Sequence, residues 1–472
     1  MANDLVVIYP ILAILGLGLV VLLLDLASAR LRGLLGYLMA LGCAGLAVVL
    51  VACPPAGEAF SRAITAGPFS EAFTLVFLVA AALVSLGSTR FLPTISRHHG
   101  EYYFLLATST AGLMTMAGAG DLITLYLGLE LSTISLYPLA AWHKGNPRSA
   151  EAGLKYMLLG AVSSAVLLYG LTIVYGSAGS TSFPMIKQAV GTMPSAALLL
   201  GMAFVAAGFA FKVAAAPFHM WAPDVYEGAP TPVTAFLSVA SKAAGFAVLL
   251  RVFLGLFGGI TASWAPAIAI LSLLSMLIGN LVAVPQTNLK RMLAYSGIAQ
   301  AGYALVGVAA ATALGTGTTA FFLAQYAFVN VGAFLVAMIV AQATGSEEIS
   351  ALRGLSRRSP LLALTMLLLL LSLGGIPPLG GFWGKLFIFM AGFEQGLWWL
   401  VLAGVLLSVL SLYYYLMVVR QMYIAEPDKT DPLPVSRPAA VAVLICTAVA
   451  VALVYPTPLL NLCLKAGEAL GK

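Results

Sequence analysis

FKVAAAPFHMWAPDVYEGAPTPVTAFLSVASKAAGF, residues Phe211 to Phe246, sets two lysines, Lys212 and Lys242, inside apolar sequence. Between them stand Pro217, Pro223, Pro230 and Pro232, each lacking a backbone donor and each hostile to a continuing helix. A helix that reaches this stretch must break. Backbone groups freed inside hydrocarbon are tolerated only where protein covers them or a polar cavity receives them. The stretch therefore reads as a charged, hydrated site within a membrane-embedded helix bundle.

Composition agrees. Of 472 residues, 61% are hydrophobic and 8% charged, against about 25% charged in soluble proteins. The 47 glycines suit closely packed membrane helices. Crossing about 30 Å of hydrocarbon takes about 20 apolar residues. Runs of that kind begin near residues 5, 34, 69, 102, 122, 152, 196, 232, 263, 289, 316, 360, 396 and 437. The expected fold is an all-α polytopic membrane protein of about fourteen transmembrane helices. No polar linker divides the chain, so residues 1–472 form a single integral membrane domain. The first run lacks a positive leader and a small-residue cleavage pattern, which makes it a retained span. Cys43, Cys53, Cys446 and Cys463 are scattered, so neither a disulfide framework nor a metal site is expected.

An even number of spans sorts the loops into two sets, and the basic residues are unequally divided between them. Fifteen, from Arg30 and Arg32 through Lys155, Lys290 and Arg353 to Lys429 and Arg437, fall in odd loops. Five fall on the other side: Arg62, Lys187, Arg251, Lys465 and Lys472. The odd loops are then cytoplasmic and both termini lie on the opposite, periplasmic side. This sorting also accounts for the net charge of +6 without a nucleic-acid partner. Three basic residues remain, Lys212, Lys242 and Lys385, all within spans, and Glu130 is the one acid well inside a span.

Spans seven and twelve, residues 196–226 and 360–392, are too long for one simple crossing. Each is interrupted, at Pro217 in the first and at Gly374-Gly375-Ile376-Pro377-Pro378-Leu379-Gly380-Gly381 in the second. An offset of five spans makes the two segments antiparallel. Spans four to eight (102–257) and nine to thirteen (263–422) are therefore candidate inverted repeats, with 1–101 before them and 437–472 after. Interrupted helices at matching places in two such halves point to a transport site.

A central charge in a span costs roughly 2.5–3.5 kcal/mol on the insertion scale, so Glu130, with Ser132, Thr133 and Ser135 close by, is either a single carboxylate bonded to a hydroxyl or, as expected first, paired with a lysine, Lys212 before the others. A changing Glu130–Lys212 distance would then load or release a proton. His219 either relays protons or satisfies carbonyls of the break. Tyr295, Ser296, Gln300, Tyr303, Gln325, Tyr326 and Asn330 lie in otherwise apolar spans ten and eleven. Singly each is ordinary helix-helix adhesive; together they offer a water path from Lys242 to Lys385. No Walker loop, dinucleotide fingerprint, cysteine cluster or haem-type histidine pair provides an energy source.

The segments FKVAAAPFHMWAPDVYEGAPTPVTAFLSVASKAAGF, NLKRMLAYSGIAQAGYALVG and GGIPPLGGFWGKLFIF closely resemble the antiporter-like membrane subunits of proton-pumping NADH–quinone oxidoreductase, respiratory complex I. The resemblance covers nearly the whole chain. It implies two inverted five-helix repeats, helices 4–8 and 9–13, with helices 7 and 12 broken, and proton translocation by Glu130, Lys212, Lys242 and Lys385. Electron transfer from NADH to quinone would occur on partner subunits carrying FMN and iron–sulfur clusters. No redox site is implied on this chain, which would sit among other membrane subunits, a peripheral arm and lipids. Gln300 stands where many relatives carry histidine, and an amide holds water but does not titrate. Two alternatives share the fold: a subunit of a multisubunit cation/proton antiporter, or of a related membrane-bound hydrogenase or dehydrogenase complex.

Overall fold

The computed structural model describes residues 2–191, 195–427 and 431–471. Lys429 and Lys472, both counted in the charge sorting, lie outside them. The chain runs through α1 (Ala2–Ala27), α2 (Arg32–Ala52), β1 (Gly57–Ala59), β2 (Ile64–Ala66), α3 (Pro68–Ser88), α4 (His99–Gly118), α5 (Leu122–Ala140) and α6 (Pro147–Ala178). It continues through α7 (Ala196–Lys212), α8 (Trp221–Gly228), α9 (Thr231–Leu256), α10 (Thr261–Ala283), α11 (Leu289–Ala309) and α12 (Ala313–Thr344). The last elements are α13 (Pro360–Gly374), α14 (Gly380–Glu394), α15 (Trp398–Tyr423), α16 (Arg437–Ala452) and α17 (Thr457–Gly471). Among the described residues, 10 helices are long and apolar enough to cross a membrane, or up to 11 if α16 and α17, bent by 85°, form one span. That bend was not expected from the apolar run. α7 and α13 are shorter apolar helices, each cut off by the expected interruption.

Burial follows the apolar pattern. α9 is wholly buried at its apolar centre and α11 and α12 nearly so, whereas α6 and α15 turn most of their surface outward. Close approach rests on glycine. A Cβ on Gly112 of α4 would lie 2.4 Å from the backbone nitrogen of Ser132 on α5, and one on Gly279 of α10 would lie 2.4 Å from that of Ala299 on α11. Only a residue without a side chain lets those backbones touch.

Both interruptions close the same way. Ala214 (φ 57°) and Gly375 (φ 83°) adopt the left-handed conformation. The next amide reaches back five residues, Ala215 N–H to Ala210 O at 2.8 Å and Ile376 N–H to Leu371 O at 3.0 Å. This is the 6→1 bond of a helix C-terminus. Trp221 then caps the first break by donating from Nε1 to Phe211 O at 2.9 Å. In the second, Gly381 N–H donates to Ser372 Oγ at 3.0 Å, and any Cβ on Gly381 would overlap the Ser372 carbonyl.

A longer correspondence links the halves. Asp121 caps α5 by accepting from Thr124 N–H at 2.7 Å, and Asn288 caps α11 by accepting from Arg291 N–H at 3.1 Å. Asp121 bridges to Ser182, and Asn288 to Glu348. α6 and α12 are both 32 residues long and both end on a left-handed glycine, Gly179 and Gly345.

Candidate functional site

The three intramembrane lysines are all buried: Lys212 is 7% exposed, Lys242 2% and Lys385 5%. A buried ammonium needs compensating oxygen, and each finds it in dipoles rather than in a carboxylate. Lys212, the last residue of α7, donates to Thr133 Oγ1 on α5 at 2.9 Å. The expected direct ion pair with Glu130 is not formed. Glu130 lies one turn before Thr133, half-buried, and its Oε1 accepts from Ser164 Oγ of α6, which also bonds Tyr126 Oη at 3.1 Å. The two charges therefore occupy one face of α5, with the Thr133 hydroxyl holding the ammonium.

Lys242 follows a π-helical turn, Leu237–Ser241. Such a turn inserts a residue into the helical ladder and re-aims the side chains after it. Its ammonium donates to Gly297 O of α11 and sits 5.9 Å from the centre of the Tyr326 ring. A Cβ on Gly297 would lie 3.2 Å from Lys242 Nζ, so the missing side chain at 297 admits the lysine.

Lys385 reaches back across the second break, donating to Leu373 O at 3.0 Å, Gly374 O at 3.1 Å and Ser408 Oγ at 2.8 Å. Two of these are terminal carbonyls of α13, the negative end of a helix dipole and a natural seat for a cation. The Tyr303 ring lies 4.7 Å away and adds a cation–π contact.

Polar groups fill the space between Lys242 and Lys385. Ser296 Oγ and Tyr415 Oη share a hydrogen bond at 2.5 Å. Gln300 Nε2 donates to Leu373 O at 3.1 Å, the carbonyl that also holds Lys385. Tyr303 Oη accepts from Asn280 Nδ2 at 3.1 Å, and Tyr414 Oη donates to Asn280 Oδ1 at 3.0 Å. Asn330 Nδ2 donates to Ser238 Oγ at 2.7 Å. Among the described residues, Ser241 Oγ, Gln325 Oε1, Tyr326 Oη and Asn330 Oδ1 are buried with no protein partner. Two residues expected in the path lie apart from these bonds. Tyr295 is half-buried against the Arg291 guanidinium, 5.9 Å from its ring centre. His219 lies in the first break beside exposed Pro217, Phe218 and Met220, and its Nδ1 has no partner. Trp221 caps the Phe211 carbonyl, while His219 bonds to the Pro217 backbone within the break.

Sequence reasoning missed Lys290. Read as a loop residue, it is 2% exposed in the first turn of α11, donating to Ala229 O at 2.8 Å and pairing with Glu347 at 3.0 Å. It lines a cavity of about 530 Å³ with His143, Arg148, Glu227 and Glu347. Beside it, Asp224 joins Lys155 at 2.7 Å and Arg291 at 2.8 Å, and Arg291 also holds Glu227 at 2.9 Å. Ser164, Ser408 and Tyr415 were missed too. Hydroxyls are common in apolar helices, and only the fold shows which ones face a charge.

Comparison with known proteins places this geometry. Residues 119–411 match the family described as NADH:quinone oxidoreductase/Mrp antiporter, TM. An NADH-quinone oxidoreductase subunit N of Moorella thermoacetica is 48% identical over 465 residues, 98% of each chain. A chain of respiratory complex I from Thermus thermophilus, solved with bound Aureothin, superposes with a TM-score of 0.82 at 31% identity, covering 96% of this chain and 98% of that one. A chain of an archaeal membrane-bound sulfane sulfur reductase reaches a TM-score of 0.88 at 25% identity, covering 100% of this chain and 98% of that one.

Proposed function

This chain belongs to the NADH:quinone oxidoreductase/Mrp antiporter family of membrane subunits, and from that premise we propose how its buried lysines move protons. It is an antiporter-like membrane subunit of the subunit N kind, part of an NADH–quinone oxidoreductase, and its partners are the other membrane subunits and the peripheral arm. Electron transfer takes place elsewhere in the complex, on subunits that hold NADH, FMN, iron–sulfur clusters and quinone. Here the work is translocation.

The observation that carries the mechanism is the series of polar groups set between Lys242 and Lys385. Lys242 rests on Gly297 O, next to Ser296; Ser296 bonds Tyr415; Gln300 and Lys385 share Leu373 O. Hydroxyl groups both donate and accept, so they pass a proton where an apolar helix cannot. The unpartnered oxygens of Ser241, Gln325, Tyr326 and Asn330 are points at which water completes the path. Gln300 orients water without titrating. Glu130 and Lys212 load the first half, Lys242 hands over, and Lys385 releases. Moving one charge against 100 mV costs about 2.3 kcal/mol, so an uninterrupted water file would leak, and the lysines act as stepwise gates.

Two inverted five-helix repeats within a fourteen-helix fold give the halves their equivalence. The caps Asp121 and Asn288, the bridges to Ser182 and Glu348, and the left-handed Gly179 and Gly345 recur 166 or 167 residues apart. The same offset relates Thr133, which holds Lys212, to Gln300, which shares a carbonyl with Lys385. Both termini lie in the periplasm of a bacterial inner membrane, on the charge sorting of the loops. Single cysteines placed in the Arg353–Arg358 loop should label only from the cytoplasm; labelling from outside only would reverse the orientation.

The functional test uses the whole complex in proteoliposomes. NADH oxidation by quinone should acidify the lumen, and an inhibitor of quinone reduction should abolish the acidification. Sodium-driven proton exchange that persists with the redox arm inhibited would instead identify a cation/proton antiporter.

A further inference from the structure

We propose that a second, unrelated site binds the phosphate of an anionic phospholipid between the ends of α2, α3, α12 and α16. A cavity of about 690 Å³ is lined by Tyr37, Arg90, Gln342, Ser436 and Arg437 with apolar Ala343, Pro434, Val435 and Pro438. No carboxylate among the described residues lines it. Among the described residues, Arg90 and Arg437 have neither a hydrogen-bonded nor an ion-paired partner, in contrast to Arg32, Arg62 and Arg291, which each hold an acid. Two unpaired guanidiniums facing one cavity select an anion, and guanidinium geometry matches phosphate oxygens in bidentate fashion. The N-terminus of α16, a 16-residue helix beginning at Arg437, opens onto the same space, and its dipole also favours an anion. Ser436 Oγ is buried there without a partner among the described residues and can donate to a third phosphate oxygen.

Membrane position makes the occupant a lipid rather than a free anion. Every lining residue sits at or near a helix end: Arg90 two residues past α3, Arg437 at the start of α16, Gln342 near the close of α12 and Tyr37 in the second turn of α2. That is the headgroup level of a bilayer, where tyrosine also concentrates. One turn into the membrane on the same helix faces, Leu41 is 72% exposed after Tyr37 and Val441 48% exposed after Arg437. These open apolar faces suit the acyl chains of a lipid whose phosphate sits on the arginines. Basic pockets between membrane helices bind anionic headgroups by this chemistry.

The purified complex, in nanodiscs containing photoactivatable phosphatidylglycerol, provides the test. Crosslinks should form on peptides carrying Tyr37 or Val435, and unlabelled phosphatidylglycerol, but not inorganic phosphate, should compete. Each arginine near an anionic surface is worth about 1 kcal/mol, so R90Q/R437Q should weaken labelling by about 30-fold. R90K/R437K, which keeps both charges, should retain most of it and shows that the fold tolerates change there. Equal labelling by a phosphatidylcholine probe, competition by inorganic phosphate, labelling unchanged in R90Q/R437Q, or no labelling because a partner subunit covers the cavity would each overturn the proposal.

Discussion

Replacing Lys385 with methionine is expected to slow coupled proton translocation by about 100-fold, the lower range for loss of a proton-transferring side chain, while leaving the complex assembled. The reason lies in what remains bonded. Leu373 O keeps Gln300 Nε2 at 3.1 Å, and Gly374 O keeps Ser408 Oγ at 3.3 Å. Neither carbonyl that held the lysine is stranded, and methionine fills the lysine volume with a flexible apolar chain. Pumping by proteoliposomes, measured beside quinone reduction and subunit composition, separates transport from assembly. Sustained pumping in K385M would remove Lys385 from the release route. Disassembly of K385M would instead assign Lys385 to holding the break together, and S408A, which strands no charge, would then report on transport.

The lysines and both breaks were legible in the sequence because they violate its dominant pattern. A charge among leucines and alanines, or a Gly-Gly-Ile-Pro-Pro run inside an apolar segment, has no cheap place in hydrocarbon unless the fold provides one. The partners were not legible. Thr133, Ser408 and the Gly297 carbonyl look like any helix residue until packing sets them against an ammonium. Lys290 shows the opposite failure. It follows a loop and reads as solvated, yet Ala229 O and Glu347 hold it in the interior. Composition registers how many charges a helix carries, but burial depends on what folds over its end.

His219 and Tyr295 illustrate a related limit. Each is polar and adjacent to a decisive element, and proximity in sequence recommended both. His219 sits half-buried against the Pro217 backbone within the first break, and Tyr295 faces Arg291 rather than the lysines. Helical phase decides such cases, and a π-helical turn before Lys242 shifts that phase where a sequence-based helical wheel would assume regular spacing. The correspondence of Asp121 with Asn288 was hidden for another reason. The two caps differ in residue type and share only a role, accepting the amide three residues on.

Removing the carboxylate and the ammonium of the first half should give losses that do not multiply. Glu130 and Lys212 share one face of α5, and in the structure the ammonium rests on Thr133 while Ser164 holds the carboxylate. Loading the pair must disturb that arrangement, because the ammonium gains most by turning from a hydroxyl toward the carboxylate one helical turn away. E130Q and K212M each prevent this exchange, so either alone should forfeit most of the loading step and the double variant little more. Coupling between groups in one network is about 0.5–3 kcal/mol, and the pumping rates of the four enzymes measure it directly. Thr133→Val sharpens the experiment. Without the hydroxyl, Lys212 has only Glu130 to seek, so the measured coupling should grow in the T133V background. The substitution also removes the bond from Thr133 Oγ1 to Leu129 O at 2.6 Å, which is internal to α5 and leaves both charges in place. Losses that multiply in both backgrounds would show that the two charges act in separate steps.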